Sequence, residues 1–247
     1  MYLQLKMIKF ISLTIINWFD YFYKKKIIKF LKKNNYNQFI IFFDIGAHKG
    51  ESIKLFTKHF KIEKIFSFEP SLYSYKYLKE ILNSELSKNS EIKIENLALG
   101  SVKKEIDLFQ SVESSSSTIN AINKDSKYFL KKLKYFNGER ESFYKKIKAQ
   151  MITLDDYIIE NNIKQIDFLK IDTEGYEFEI LKGLKKNIFN VKLILFEHHY
   201  DDMIKKNYTF SEIHNLLVES NFKRILKAKM PFRKTFEYIY TNNRKFN

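Results

Sequence analysis

Cysteine is absent from the 247 residues, which excludes a disulfide framework, a thiolate nucleophile and a zinc–thiolate site. Proline occurs twice and glycine six times, too few for long linkers or low-complexity spacers. No uncharged run reaches the ~20 residues of a membrane span. The stretch from Phe10 to Phe19 is too short, Asp20 interrupts any extension, and no small-residue cleavage site follows as it would in a secretory signal. What remains is 45% hydrophobic, enough for one well-buried α/β domain with a short appendage. The boundaries read as a helical arm over 1–38 and a domain over 39–247, with an insertion at about 101–150.

The apolar run Phe39 to Phe43 leads into Asp44-Ile45-Gly46-Ala47-His48-Lys49-Gly50-Glu51, a strand, a glycine turn and a helix start. Glycines at Gly46 and Gly50 let the backbone turn sharply and approach a ligand closely, and the helix start offers free N–H groups. A dinucleotide fingerprint wants Gly-x-Gly-x-x-Gly, and the middle glycine is missing here. S-adenosylmethionine has no phosphate and can use an acid such as Asp44 for its amino-acid end. A second acid, Glu69, closes the strand Lys64 to Phe68 about 20 residues further on, where a nucleotide-binding unit places a carboxylate on ribose hydroxyls.

With these blocks in place the chain resembles a known family. Asp44-Ile45-Gly46-Ala47-x-x-Gly50-Glu51, Phe68-Glu69-Pro70, Ala98-Leu99-Gly100, Thr153-Leu154-Asp155-Asp156 and Lys170-Ile171-Asp172-Thr173-Glu174-Gly175-Tyr176-Glu177 look, in that order, like the blocks of the FkbM-type S-adenosylmethionine-dependent methyltransferases. The likeness spans roughly Phe39 to His198, and the last block with Leu181-Lys182-Gly183 is its most specific part. It implies a Rossmann-like class I fold, a doubly wound seven-stranded mixed sheet, and methyl transfer, usually to oxygen of a small molecule or glycan. It also makes Ala98 the third cofactor block.

Strands and helices alternate as that fold requires. The pattern predicts strands at 39–45, 64–69, 91–97, 166–171 and 193–196, helices from Gly50 and from Ser71 to about Asn83, and a basic helical stretch around Lys124 to Phe136. A helix from about Ser211 to Glu219, a strand near Phe222 to Leu226 and a final strand Thr235 to Tyr240 complete an antiparallel edge. The segment 101–150 reads as irregular, with a serine run Ser114 to Thr118 that suits a loop or a lid ordering on binding.

In an open α/β sheet ligands bind beyond the carboxyl ends of the strands, which points to Asp172 and Glu174 as the residues that orient an acceptor and take its proton. Glu177 reads as a helix-dipole charge. Glu197-His198-His199 follows a buried-looking strand, and the histidines are reserve candidates for the base. Alternation pairs Glu197 with His199 and sets His198 apart. Asp172, Glu197 and a histidine are of metal-ligating types, but they are scattered across strand ends without a ligand spacing, and no metal is assigned.

The net charge of +15 is unevenly placed. Residues 1–38 carry +7, 122–150 carry +6 and 223–247 carry +7, which leaves −5 for everything else. An acidic core without a recognisable RNA-binding module argues against nucleic acid as substrate. In the arm, Ile8, Ile11, Ile15, Trp18 and Phe22 recur at helical spacing before Lys24-Lys25-Lys26. The first expectation is docking on the core or on a second copy in a homo-oligomer; the second is an anionic membrane surface. The need for intracellular S-adenosylmethionine points to the cytoplasm, with the inner membrane face as the second site.

Overall fold

The apolar strands assemble in a computed structural model that describes residues 2–81, 90–111, 117–136, 138–244 and 246, with side chains from Trp18 onward. A long helix, α1 (Tyr2–Lys33), precedes β1 (Gln38–Ile45), α2 (Glu51–His59), β2 (Lys61–Phe68), α3 (Leu72–Ile81) and β3 (Glu91–Glu95). Then come β4 (Ala98–Gly100), β5 (Lys104–Ser111), β6 (Ser117–Thr118), α4 (Lys127–Phe136), β7 (Tyr144–Thr153), α5 (Leu154–Glu160) and β8 (Ile166–Ile171). The chain finishes with α6 (Glu177–Lys182), β9 (Val191–His199), α7 (Phe210–Glu219), β10 (Phe222–Lys229) and β11 (Thr235–Asn242).

Seven strands form one sheet in the order β10-β11-β9-β8-β1-β2-β3. The pairs β3–β2, β2–β1, β1–β8 and β8–β9 are parallel, and β11 runs antiparallel to both β9 and β10. This is the doubly wound, seven-stranded mixed sheet that the family resemblance implies, and the strand–helix alternation agrees with it. Parallel central strands must be covered on both faces, and β8 is buried along its whole length. One face packs Phe43, Leu169, Ile171 and Phe196 against α5, α6 and α7; the other packs Phe42, Phe168 and Leu195 against α2 and α1. Phe168 lies at the centre, its ring stacked 5.0 Å from Phe42 and 4.9 Å from Phe39.

Three parts differ from the sequence reading. The strand expected over 91–97 stops at Glu95, because Asn96 turns its amide to donate to the carbonyls of Glu69 and Pro70, and β4 joins a different sheet. Segment 101–150 is more regular than its composition suggests: β5 pairs with β7 along eight residues, and a four-stranded sheet forms in the order β4-β7-β5-β6. Of the serine run, Ser117 and Thr118 form β6, while Ser114, Ser115 and Ser116 lie outside the described residues, as does the end of the helix expected to reach Asn83.

Helix α1 rests on the sheet through Tyr23, Ile27, Ile28 and Leu31, and the Tyr23 hydroxyl donates to the carbonyl of Ala228 at 3.0 Å. Trp18 and Phe22, from the stripe that periodicity marks as apolar, are on the outer side and exposed. Among the described residues no helix is long and apolar enough to cross a membrane.

Candidate active site

A cavity of about 790 Å³ opens beyond the carboxyl ends of β1, β2, β8 and β9. One end of it is apolar, walled by Ala47, Phe68, Leu97, Ala98 and Leu99; the other is polar, floored by Lys170, Asp172, Glu174, Glu197, His199 and Glu237. Helix α4 lends Tyr128, Lys131, Lys132 and Tyr135 to the wall, α1 lends Asp20, Lys24 and Ile27, and the β10–β11 loop lends Phe232 and Arg233.

The apolar end is built by the glycine turn. The N–H groups of Gly46 and Ala47 both donate to the carbonyl of Phe68, at 3.0 and 3.1 Å, which ties the turn to the end of β2. Gly46 has φ 79°, and a Cβ there would fall 1.9 Å from the carbonyl oxygen of Asp172, so no other residue fits. Glu69 is 5% exposed at the cavity edge. Its Oε2 accepts the N–H of His48 and its Oε1 the N–H of Ser71, both at 2.8 Å. Burial lifts this carboxyl to about 7 although both N–H groups favour the ionised form. Each oxygen keeps a second lone-pair direction for a ligand hydroxyl.

Two expected cofactor residues sit elsewhere. Gly50 lies off the cavity, where φ 82° starts α2 and a Cβ would strike Leu78. Asp44 lies beneath the floor, wholly buried, with neither carboxylate oxygen hydrogen-bonded among the described residues. It faces Lys170, whose Nζ is 3.4 Å from Asp44 Oδ1 and 3.1 Å from Asp172 Oδ2. Burial raises the Asp44 carboxyl despite that ammonium. For Asp172, burial works in the same direction but loses: the charge and hydrogen bond of Lys170, with His199, hold its carboxyl below the usual range.

The turn after β8 aims the next acid. Glu174 takes φ 52° and Gly175 φ 95°, two successive left-handed residues, the first of them strained for a side chain with a Cβ. Glu177 holds that turn, its Oε1 accepting the N–H groups of Thr173 and Gly175 and its Oε2 the hydroxyl of Tyr208 at 2.5 Å. That is a structural role beyond the dipole charge expected of it. From the insertion, Thr118 donates to the Glu174 carbonyl at 2.8 Å and Asn120 to that of Gly175.

Glu174 Oε2 thereby comes 3.3 Å from Nε2 of His199, which is also 3.0 Å from Glu197 Oε1; both contacts lie off the line a hydrogen bond needs. The other ring nitrogen, Nδ1, is 3.2 Å from the Thr235 hydroxyl and 3.7 Å from Asp201 Oδ2. Burial alone would lower His199, but Glu174, Asp201 and Glu197 raise it well above the ordinary histidine value. Burial lifts Glu197 to about 7, with Asp172 adding to it and His199 opposing. Glu237, the cross-strand neighbour of Glu197, is lifted by burial to about 8. His198 is on the opposite face of β9, packed among Tyr200, Tyr208 and Phe210 and outside the cavity, where burial drops it to about 3.

Sequence reasoning passed over Lys170, Glu237 and the α4 wall. Lys170 carried a signal, since a lysine inside a strand buried on both faces needs counter-charges. Glu237 carried none, because only the β9–β11 register sets it beside Glu197. Among the described residues no cluster of three histidine or carboxylate groups has the arrangement to hold a metal ion.

Comparison with solved structures gives the same architecture. The FkbM methyltransferase of Methylobacillus flagellatus aligns at a TM-score of 0.53 and 16% identity, over 81% of this chain and 43% of that one. The magnesium protoporphyrin IX methyltransferase of Synechocystis, solved with S-adenosylmethionine bound, aligns at 0.50 and 7% identity, over 89% and 78%. At these identities the likeness is one of fold, and the chain spans less than half the length of the first. No curated protein sequence matches the chain. The profile of the methyltransferase FkbM domain, however, matches residues 44–224, most of the chain, from the end of β1 through β2, β8 and β9. The chain therefore belongs to the FkbM family of S-adenosylmethionine-dependent methyltransferases.

Proposed function

We propose that the protein methylates a hydroxyl oxygen of a polyhydroxylated acceptor, a small molecule or a glycan. The observation that carries the reading is the cavity's division into an apolar end beside Glu69 and a carboxylate-rich floor around His199. The apolar end suits S-adenosylmethionine. Glu69 is fixed by two backbone donors with lone pairs to spare for ribose hydroxyls, Gly46 and Ala47 bring bare backbone to the cavity, and Ala98 and Leu99 offer an apolar seat for adenine. Asp44 would act from below, through Lys170, rather than by touching the cofactor.

When bound, the cofactor supplies an electrophilic methyl group on a sulfonium. The chain must then align an oxygen and remove its proton. Asp172, held ionised by Lys170, is an acceptor for a substrate hydroxyl, and Glu174 is a second. The proton goes to Glu197. Its Oε1 faces the His199 imidazolium, its Oε2 remains for the acceptor, and a carboxyl at about 7 exchanges protons most readily at neutral pH. An amine acceptor on this floor would stay as an unreactive ammonium, whereas a neutral hydroxyl gains from each carboxylate. The same floor repels a nucleic-acid backbone.

The deciding experiment incubates the protein with methyl-labelled S-adenosylmethionine and a panel of free sugars, lipid-linked sugars and small polyols, and locates the label by mass spectrometry. Label on oxygen supports the reading; label confined to nitrogen or to RNA overturns it.

A further inference from the structure

The outer side of α1 is a second surface that the methyl-transfer site does not use. Trp18, Tyr21 and Phe22 are 57%, 50% and 48% exposed, and their rings cluster, Trp18 lying 4.5 Å from Phe22. Phe19 bridges this cluster to Phe232 of the β10–β11 loop, at 4.9 Å. Phe232 is 75% exposed and takes φ 59°, an unfavourable conformation for an aromatic residue, so the fold keeps the ring outward at a cost. An ion pair of Arg233 with Asp20, at 2.7 Å, ties the loop to the helix and makes one platform of the two.

Below the rings, the same helical side turns to charge. Lys25 and Lys29 lie three and seven residues beyond Phe22, and Lys26, Lys32 and Lys33 are exposed beside them, while Tyr23, Ile27 and Leu31 face the core. Residues 1–38 hold eight lysines against one aspartate, and that aspartate is taken by Arg233. Indole and phenol rings prefer the depth of lipid headgroups, lysines are drawn to anionic headgroups, and a helix unable to span must lie flat.

We propose that this face seats the protein on an anionic lipid bilayer, with Trp18, Tyr21, Phe22 and Phe232 among the headgroups and Lys25, Lys26 and Lys29 against their charge. Because Asp20, Lys24, Phe232 and Arg233 also line the cavity, the seated protein turns the cavity mouth to the lipid. Delivery of a lipid-borne acceptor follows from that only if the methyl transfer above holds; the docking itself does not depend on it.

Vesicle flotation of the full chain tests this. The wild type should float with vesicles of phosphatidylcholine mixed with phosphatidylserine and stay behind with phosphatidylcholine alone. Trp18→Ala with Phe22→Ala should abolish flotation while far-UV circular dichroism and thermal unfolding stay as in the wild type. Lys25→Glu and Lys29→Glu, both exposed, should each weaken partitioning roughly fivefold or more. Absence of the wild type from the mixed-vesicle fraction overturns the proposal. So does flotation that survives loss of both rings, or a dimer or a single-stranded RNA complex that needs Trp18 and Phe22 when vesicles do not bind.

Discussion

Replacing Glu69 by glutamine separates its effect on folding from its effect on the cofactor. Both oxygens of Glu69 are engaged, one with the N–H of His48 and one with that of Ser71, so the amide nitrogen of glutamine must face one of those donors. A buried N–H left without an acceptor costs roughly 1–3 kcal/mol. Against this stands the burial that raises Glu69 from its ordinary 4.5 to about 7. A carboxyl raised in the fold favours the protonated native state, so its contribution to stability falls as pH rises from the ordinary carboxylate range to about 7. Above that the ionised group carries a penalty of about 3 kcal/mol, which glutamine removes. Near pH 8 the two effects nearly cancel, and the thermal midpoint should move little. Affinity should not recover, because ribose hydroxyls lose a charged acceptor, about 1.5–3 kcal/mol. Calorimetric titration with S-adenosylmethionine should show wild-type affinity rising up to ~tenfold per pH unit below about 7 and levelling above it. The variant should be weak and flat with pH. Wild-type affinity and an unchanged pH profile in Glu69→Gln would refute the assignment of Glu69 to the ribose.

Three further outcomes follow from the floor and the turn. Asp172→Asn and Glu174→Gln should each lower kcat on the true acceptor on the order of 10²-fold while changing cofactor affinity only a few-fold; wild-type turnover in both would remove them from the reaction. The rate should rise with pH through about 7 as Glu197 ionises, and Glu197→Gln should both slow turnover and erase that rise; persistence of the rise would point to another base. Gly46→Ala should unfold at a lower temperature, by at least roughly 1–3 kcal/mol of stability, since the methyl group meets the Asp172 carbonyl and the backbone is left-handed; an unaltered melting curve would contradict that geometry.

The fold was legible in the chain to the extent that burial imposes a period. Strands buried on both faces, such as Ile166 to Ile171, are continuous apolar runs and appear where expected. What depended on one side chain competing for the backbone was not legible: nothing in the period of 91–97 says that Asn96 will take two carbonyls and divert the chain into a second sheet. The arm shows the limit of periodicity most plainly. Trp18 and Phe22 belong to the more regular apolar stripe, yet Tyr23, Ile27 and Leu31 find the complementary surface. At the site, residues following a strand end could be read, as Glu69 and His199 were. Distances across the sheet could not, so Asp44, first in its motif, turns out to sit under the floor, and Glu237 enters unannounced from the last strand.

The Lys170 ion trio has a bearing on assembly as well. Strands β1 and β8 consist largely of phenylalanine, isoleucine and leucine, side chains that pack nearly as well two positions along. Asp44 and Lys170 are direct partners in their register, as Phe42 is with Phe168. A slip of two residues would preserve the apolar facing but part Asp44 from Lys170, which keeps Asp172 at the end of its own strand, and leave the Asp44 carboxylate in a dry interior without its counter-ion, at a cost of several kcal/mol. The charges at the end of these strands thus discriminate one alignment from its near-degenerate neighbours, a task the hydrophobic residues around them are chemically unable to perform.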